Sequence, residues 1–99
     1  MTYRLSRKAE EDVIQLYVAG VREFGHDQAE TYFAGLERSF EFLASYPRAG
    51  QVRAEIMPPV RTHAYRSHIV VYAIEGRDVL ILRVRHARED WQRAPSGRE

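Results

Sequence analysis

Two apolar segments near the end of the chain, residues 68–74 and 79–86, constrain the fold more than any other feature of the sequence. Valine, isoleucine and leucine dominate both segments, and such runs between turn residues are typical of β-strands. The short sequence between them contains Gly76, which favours a tight turn. The pattern predicts a β-hairpin whose second strand ends in arginines and a histidine.

A third strand is predicted at residues 60–65, just before the hairpin. Its side chains alternate between two faces, with Val60, Thr62 and Ala64 on one face and Arg61, His63 and Tyr65 on the other. Arg66 and Ser67 are enough for the turn that follows. These segments predict three consecutive antiparallel strands, and one face of that sheet needs a cover.

The first half of the chain predicts two helices. Residues 3–5 form a short strand candidate, and Ser6 is placed to cap a helix that runs to about Phe24. Acids at positions 10–12 lie near the positive end of that helix dipole. Gly25 is a stop signal for the helix.

The second helix shows apolar residues at alternating intervals of three and four, from Ala29 to Leu43. Asp27 and Glu30 resemble a capping box at its start, and Pro47 ends it. Residues 48–59 then form an irregular connector. The predicted fold is α+β, a single domain over residues 1–99 in which an N-terminal strand and an antiparallel helical hairpin pack on a small antiparallel β-sheet.

Composition excludes several classes of chemistry. The chain has no cysteine, and its four histidines lack the short spacings of metal ligands, so we expect no metal site. No glycine-rich phosphate loop is present, so we expect no nucleotide cofactor. No apolar run has the length of a signal peptide or a membrane span, which favours a soluble, cytoplasmic protein without a membrane partner.

Charge is divided unevenly along the chain. Up to Pro47 there are five basic and eight acidic residues, whereas the remainder has ten arginines and six acids, so a net charge of −3 is followed by one of +4. Since the pI of about 8.1 lies below that of a typical nucleic-acid-binding domain, we expect no direct sequence-specific nucleic-acid binding.

The end of the last predicted strand gathers Arg83, Arg85, His86 and Arg88. If the partner is a phosphodiester, arginines could stabilise the transition state of a metal-free ribonuclease in which His86 moves protons. If the partner is an acidic protein surface, the same residues only bind. A structural interpretation is also open, in which the arginines face solvent and pair with acids such as Glu55, Glu89 and Asp90.

Alternation along this strand places Arg83 and Arg85 on one face and Leu82, Val84 and His86 on the other. Trp91 is the only tryptophan. It is expected to fold back on the core, or to anchor an interface.

These residues, in their order and spacing, are similar to ParE toxins of the ParE/RelE superfamily over nearly the whole chain. The motifs that carry the resemblance are Tyr3-Arg4-Leu5-Ser6 with Ala9-Glu10, then Tyr32, Leu36 to Phe40, Leu43-Ala44 with Pro47, Arg53, His68-Ile69-Val70-Val71-Tyr72 and His86-Ala87-Arg88-Glu89-Asp90-Trp91. The resemblance implies the fold described above. It also implies a type II toxin-antitoxin system with a ParD-like antitoxin encoded in the same operon.

The superfamily contains ribosome-dependent messenger-RNA nucleases and toxins that act on DNA gyrase. Particular residues of this chain indicate which of the two groups it resembles. The nucleases carry an arginine where this chain has Ile69, and often a tyrosine where it has Ala87. The basic lysines of the nuclease site have no counterpart here, because Lys8, the only lysine, lies far from the cluster in sequence. Losing a transition-state cation and a proton-transfer group should each cost orders of magnitude in rate.

The resulting hypothesis is a non-enzymatic toxin that binds and poisons DNA gyrase. The residues expected to contact the target or the antitoxin are Arg83, Arg85, His86, Arg88 and Trp91, with Arg61 and His63 as weaker candidates. One alternative is a ribosome-dependent nuclease using His86 with Arg61 and Arg83, and another is an interaction module without toxicity.

Overall fold

The structure, a computed structural model, describes residues 2–89 and has the predicted α+β architecture. Its elements in chain order are β1 (Tyr3–Leu5), α1 (Arg7–Phe24), α2 (His26–Ser45), β2 (Gln51–Arg53), β3 (Val60–Tyr65), β4 (His68–Glu75) and β5 (Asp78–His86). The five strands form one sheet in the order β1-β5-β4-β3-β2. The sheet is mixed, because β1 joins β5 in parallel while β2 to β5 pair in antiparallel fashion.

One residue joins the two helices. The Ser6 hydroxyl caps α1 by accepting a hydrogen bond from the Ala9 amide at 3.1 Å, as predicted. Gly25 ends α1 with a φ of 88° and is also the N-cap of α2. The predicted capping box is wrong, since no side chain caps α2 and Asp27 lies inside its first turn. Gly25 leaves no room for a separate cap residue between the helices.

The predicted irregular connector contains the short edge strand β2, which sequence reasoning missed. Val52 is its only apolar residue, so no alternating pattern marks it. Gly50 precedes β2 and donates its amide hydrogen to the Tyr72 hydroxyl at 2.8 Å. A Cβ at position 50 would lie 2.3 Å from that hydroxyl, so the connector can follow this path only with glycine there.

Apolar side chains cover both faces of the sheet. The larger cluster lies between the sheet and the helices, with Ala9, Val13, Leu36, Phe40 and Leu43 facing Val70, Tyr72, Val79, Ile81 and Val84. A smaller cluster on the opposite face joins Ile56, Val60 and Val71, with Ile69 and Leu82 at its margin. Within residues 2–89, no helix combines the length and apolar character needed to cross a membrane.

A β-bulge interrupts the hairpin of β4 and β5. Val71 pairs with Arg83 and Tyr72 pairs with Ile81, so Leu82 has no partner of its own in β4. Leu82 packs at the margin of the smaller cluster, whereas Val84 belongs to the larger one. The expectation that Leu82 and Val84 share a face is wrong because the bulge shifts the alternation by one residue.

Candidate functional site

The structure divides the predicted site residues between two places. Arg83, Arg85, His86 and Arg88 lie together at the end of β5 and in the turn after it, and we call these four residues the strand-end cluster. Arg61 and His63 lie on β3, two strands away across β4. Trp91 lies outside the described residues.

Asp12 of α1 holds Arg83 with two hydrogen bonds. Arg83 Nε donates to Asp12 Oδ2 at 2.7 Å, and Nη2 donates to Oδ1 at 2.9 Å. The two side chains are only 14% and 12% exposed. Hydrogen bonding to Asp12 raises the pKa of Arg83 above its ordinary value, which outweighs the opposing effect of burial. Arg83 is therefore a structural cation.

Asp12 also protects the edge of the sheet. Strand β1 ends at Leu5, so the last part of β5 has no strand beside it on that side. The amide of Val84 donates to Asp12 Oδ2 at 2.9 Å, and the Ser6 hydroxyl donates to the carbonyl of Leu82 at 2.9 Å. The start of α1 therefore satisfies backbone groups that a further strand would otherwise pair.

Glu89 holds the turn that follows β5. Arg85 Nε donates to Glu89 Oε2 at 3.0 Å, and the His86 amide donates to Glu89 Oε1 at 3.0 Å. The hydrogen bonds from Arg85 lower the pKa of Glu89, with burial acting in the opposite direction. The expected pairing of an arginine with Glu89 is confirmed. Asp90 lies outside the described residues, and no ion pair of Glu55 with these arginines occurs within residues 2–89.

The His86 ring is engaged by its neighbours. Its Nδ1 accepts a hydrogen bond from the Arg88 amide at 3.1 Å, which places the proton of the neutral ring on Nε2. His86 is the cross-strand partner of His68, and the two ring centres are 5.3 Å apart. Arg88 itself is exposed.

Tyr32 and His68 extend the strand-end cluster toward the helices. The Tyr32 hydroxyl and His68 Nδ1 share a hydrogen bond of 2.7 Å, and the Ser67 amide donates to the same hydroxyl at 3.3 Å. Burial lowers the pKa of His68, and the nearby His86 lowers it further, against a smaller raising effect of Glu89. Burial raises the pKa of Tyr32. Tyr32 and His68 both belong to the motifs that carry the family resemblance, but nothing in the sequence indicated that they lie close together.

Two adjoining cavities open beside His68 and His86. The larger, of about 580 Å³, lies between the end of α1, the start of α2 and the β3–β4 turn. The smaller, of about 270 Å³, is lined by both ion pairs of the strand end, Asp12 with Arg83 and Glu89 with Arg85. Both cavities are lined by Leu16, His68 and His86. The strand end is thus a concave surface whose charges are mostly paired.

Arg61 and His63 face the helices from β3, as their pairing with Tyr72 and Val70 requires. Arg61 Nη1 donates to the carbonyl of Gly50 at 3.0 Å and to that of Arg48 at 3.3 Å. The His63 ring lies 5.6 Å from that of Phe42 on α2, and burial lowers the pKa of His63. Neither side chain joins the strand-end cluster.

The described residues include no group of three histidine, aspartate or glutamate side chains placed to hold a metal ion.

Two helices lie on one face of a five-stranded sheet that has a basic strand end. The fold matches a solved structure named "Chromosomal ParDE TA system from P. aeruginosa", with a TM-score of 0.75, 23% identity, and coverage of 87% of this chain and 95% of that chain. That likeness shows the fold.

Sequence comparison identifies the family. Residues 3–91 match the model of the ParE toxin of the type II toxin-antitoxin system, parDE. The chain is 34% identical to Toxin ParE1 of Caulobacter vibrioides over 85% of this chain and 86% of that protein. It is 32% identical to Toxin ParE1 of Mycobacterium tuberculosis over 92% and 94% respectively. The chain belongs to the ParE toxin family of type II toxin-antitoxin systems.

Proposed function

We propose that this toxin binds DNA gyrase in the cytoplasm, stabilises its cleaved complex with DNA, and acts without catalysing a reaction of its own. The proposal that the toxin is not an enzyme rests on the ion pairs formed by the strand-end cluster. Arg83 and Arg85 already neutralise Asp12 and Glu89, so neither is a free cation for a phosphodiester transition state.

The hydrogen bonding of His86 supports the same proposal. A general base needs a nitrogen lone pair within reach of the substrate. In the neutral ring the Nδ1 lone pair is occupied by the Arg88 amide, and Nε2 carries the proton. If the ring also carried a proton on Nδ1, that proton would point at the amide hydrogen of Arg88. Proton transfer by His86 in either direction would therefore require rearrangement of the turn.

Binding a protein target requires no such rearrangement. Arg88 is exposed, and Arg85 remains 22% exposed beside Glu89. Arginine beside a partly apolar concave surface is typical of interface residues that dominate binding. We therefore assign target contact to Arg85, His86 and Arg88, with Trp91 as a further contact, and a supporting role to Arg83.

Purified gyrase tests this proposal. The wild-type chain is expected to inhibit supercoiling and to accumulate cleaved DNA, and the variant Arg85→Ala with Arg88→Ala is expected to lose both effects. Arg4→Ala is the matched control, because Arg4 is an exposed β-strand arginine that pairs with Glu75. Unchanged gyrase activity at saturating wild-type protein would refute the proposal.

We further propose that a ParD-like antitoxin neutralises the toxin. Membership of the family supports this, and so does the likeness in fold to a chain of a solved ParDE toxin-antitoxin system. Co-expression with the neighbouring open reading frame is expected to yield a stable complex of two small proteins. Failure to recover a second protein with the tagged toxin would contradict the proposal.

Ribosome-dependent cleavage of messenger RNA is the second candidate, and the hydrogen bond between Tyr32 and His68 favours it. A tyrosine and a histidine 2.7 Å apart beside a cavity form a possible proton-transfer pair. The trio that the sequence suggested, His86 with Arg61 and Arg83, is not assembled, since Arg61 lies on β3. Cleavage of messenger RNA in a translation reaction that His68→Ala abolishes would favour this candidate over gyrase poisoning.

A further inference from the structure

Helix α2 presents different charges on its two sides. Glu37 and Glu41 lie toward β1, where their charge contributes to raising the pKa of Tyr3. Arg38, Phe42 and Tyr46 repeat at intervals of four and therefore share another stripe of the helix, which turns toward β3. The acids and the aromatic side chains are thus segregated around one helix.

The sheet continues beyond this stripe without a cover from the helices. Of β2 and β3, only Tyr65 takes part in the large helix-side cluster. Val52 is opposite Arg61 in the ladder, so both lie on the helix side. The resulting surface, which we call the basic-aromatic shelf, consists of Arg38, Phe42, Tyr46, Val52, Arg61 and His63.

Three large apolar side chains of the shelf are exposed to solvent. The exposed fractions are 43% for Phe42, 63% for Tyr46 and 47% for Val52. The Phe42 ring centre lies 5.4 Å from that of Tyr46 and 5.6 Å from that of His63, so the aromatic side chains form one continuous surface. An exposed apolar surface bordered by charged groups is typical of protein interaction sites.

The charges of the shelf define the partner. Within residues 2–89, neither Arg38 nor Arg61 forms an ion pair with an acid, unlike Arg83 and Arg85. The charged residues of the shelf, Arg38 and Arg61, are both cations, so an isologous contact centred on the shelf would offer them no opposite charge, which disfavours self-association. A nucleic acid is also disfavoured, because two arginines neutralise few phosphates and the rings are tilted against one another by 35° to 42°.

We propose that the basic-aromatic shelf binds an acidic segment of the cognate antitoxin that carries large apolar side chains. Apolar residues of that segment cover Phe42, Tyr46 and Val52, while its carboxylates pair with Arg38 and Arg61. This inference rests on the proposed neutralisation by an antitoxin. It adds that the antitoxin docks on a surface separate from the strand-end cluster, which contacts the target.

The test separates toxicity from neutralisation. The variant Arg38→Glu with Phe42→Ala is expected to arrest growth like the wild type when expressed without the antitoxin. Co-expression of the protein encoded by the neighbouring open reading frame is expected to rescue cells with the wild-type toxin and not those with the variant. With purified proteins, each substitution is expected to weaken the complex by about tenfold or more.

The matched control is Arg22→Glu with Val18→Ala on α1, because Arg22 is exposed and Val18 is 46% exposed. The control is expected to bind and be neutralised like the wild type. Raising the salt concentration should weaken the wild-type complex more than that of Arg38→Gln, and Arg38→Lys should restore part of the affinity lost in Arg38→Glu. Thermal unfolding of every variant verifies that it is folded.

Each other outcome overturns the inference in a recognisable way. Normal neutralisation of the shelf variant would show that the antitoxin docks elsewhere. Loss of toxicity in a folded shelf variant would show that the shelf contacts the target. Binding of a single-stranded DNA oligonucleotide that the shelf substitutions abolish, with normal antitoxin binding, would assign the shelf to nucleic acid. A wild-type toxin that the antitoxin never neutralises would instead refute the proposed function itself.

Discussion

At the scale of single residues, Asp12 shows how one side chain serves both folding and the site. It neutralises Arg83 and accepts the amide of Val84, so it fastens α1 to the open edge of β5. Its sequence position, between Ala9 and Leu16 at helical spacing, lies beside the buried stripe of α1. Helical periodicity indicates that border position, but only the tertiary structure supplies its partner.

Replacing Asp12 is therefore expected to be costly. Asp12→Ala leaves the Arg83 cation and the Val84 amide without partners in a region that is largely buried, which should lower the free energy of unfolding by about 2–3 kcal/mol. Urea denaturation measures the change. Arg4→Ala breaks the exposed pair with Glu75 and should change stability by less than about 1 kcal/mol. Equal effects of the two substitutions would contradict this assignment.

Two histidines make stability sensitive to acid. The pKa values of His63 and His68 are lower in the folded chain than the ordinary value of 6.5. Below about pH 6.5 the unfolded chain thus binds more protons than the folded chain, and stability falls as the pH falls. Glu89, whose pKa is below its ordinary value of 4.5, adds a loss at still lower pH. The denaturation midpoint of the wild type should fall more steeply between pH 7 and pH 5 than that of His63→Gln with His68→Gln. Parallel pH profiles of the two proteins would contradict this explanation.

At the scale of elements, the two hairpin turns each contain a residue with a positive φ, but the residue differs between them. Gly76 in the β4–β5 turn has a φ of 59°, and Arg66 in the β3–β4 turn has a φ of 49°. Glycine adopts this conformation without steric cost, whereas arginine does not. The Arg66 turn is held by the hydrogen bond from the Ser67 amide to Tyr32, and it borders the larger cavity. Contacts with α2 therefore maintain a turn that its own sequence does not favour.

This comparison gives a prediction for both turns. Arg66→Gly should stabilise the chain by about 0.5–1 kcal/mol, because it removes the cost of the positive φ. Gly76→Arg should destabilise it by a similar or larger amount, since the reverse substitution introduces that cost. Thermal or urea unfolding of the two variants provides the measurement. A loss of stability in Arg66→Gly would show that the arginine side chain contributes more than its backbone costs.

At the scale of the whole molecule, Tyr72 links the end of α2, the connector and the centre of the sheet. The Tyr72 side chain is fully buried. Its hydroxyl donates a hydrogen bond to the carbonyl of Pro47 at 2.7 Å and accepts one from the amide of Gly50 at 2.8 Å. The edge strand β2 begins directly after Gly50. One hydroxyl in the core thus positions the connector that leads to the basic-aromatic shelf.

Tyr72→Phe should therefore weaken the molecule without leaving a cavity. The Gly50 amide and the Pro47 carbonyl lose their partner, and the cost should be about 1–3 kcal/mol. Tyr46→Phe is the control, because Tyr46 is 63% exposed and should unfold like the wild type. Hydrogen exchange should show faster exchange in residues 50–53 of Tyr72→Phe, and unchanged protection there would contradict the proposed link.

Local sequence determined most elements of this protein. Ser6 and Gly25 mark the ends of α1, and alternation predicted β3 at its observed bounds. These signals act between near neighbours in the chain, so they can be read without knowledge of the fold. The four arginine and histidine residues of the strand end were grouped correctly for the same reason, since they lie within six positions of one another.

Tertiary structure decided what those residues do. The pairing of Arg83 with Asp12 joins positions 71 residues apart, and β2 and the bulge at Leu82 exist because neighbouring strands impose their register. No local propensity encodes such partners, because their free energy arises only when distant segments are brought together. For that reason the sequence left open whether the arginines of the strand end are free or paired with acids. Folding paired Arg83 with Asp12 and Arg85 with Glu89, and it left Arg38 and Arg61 without an acidic partner among residues 2–89.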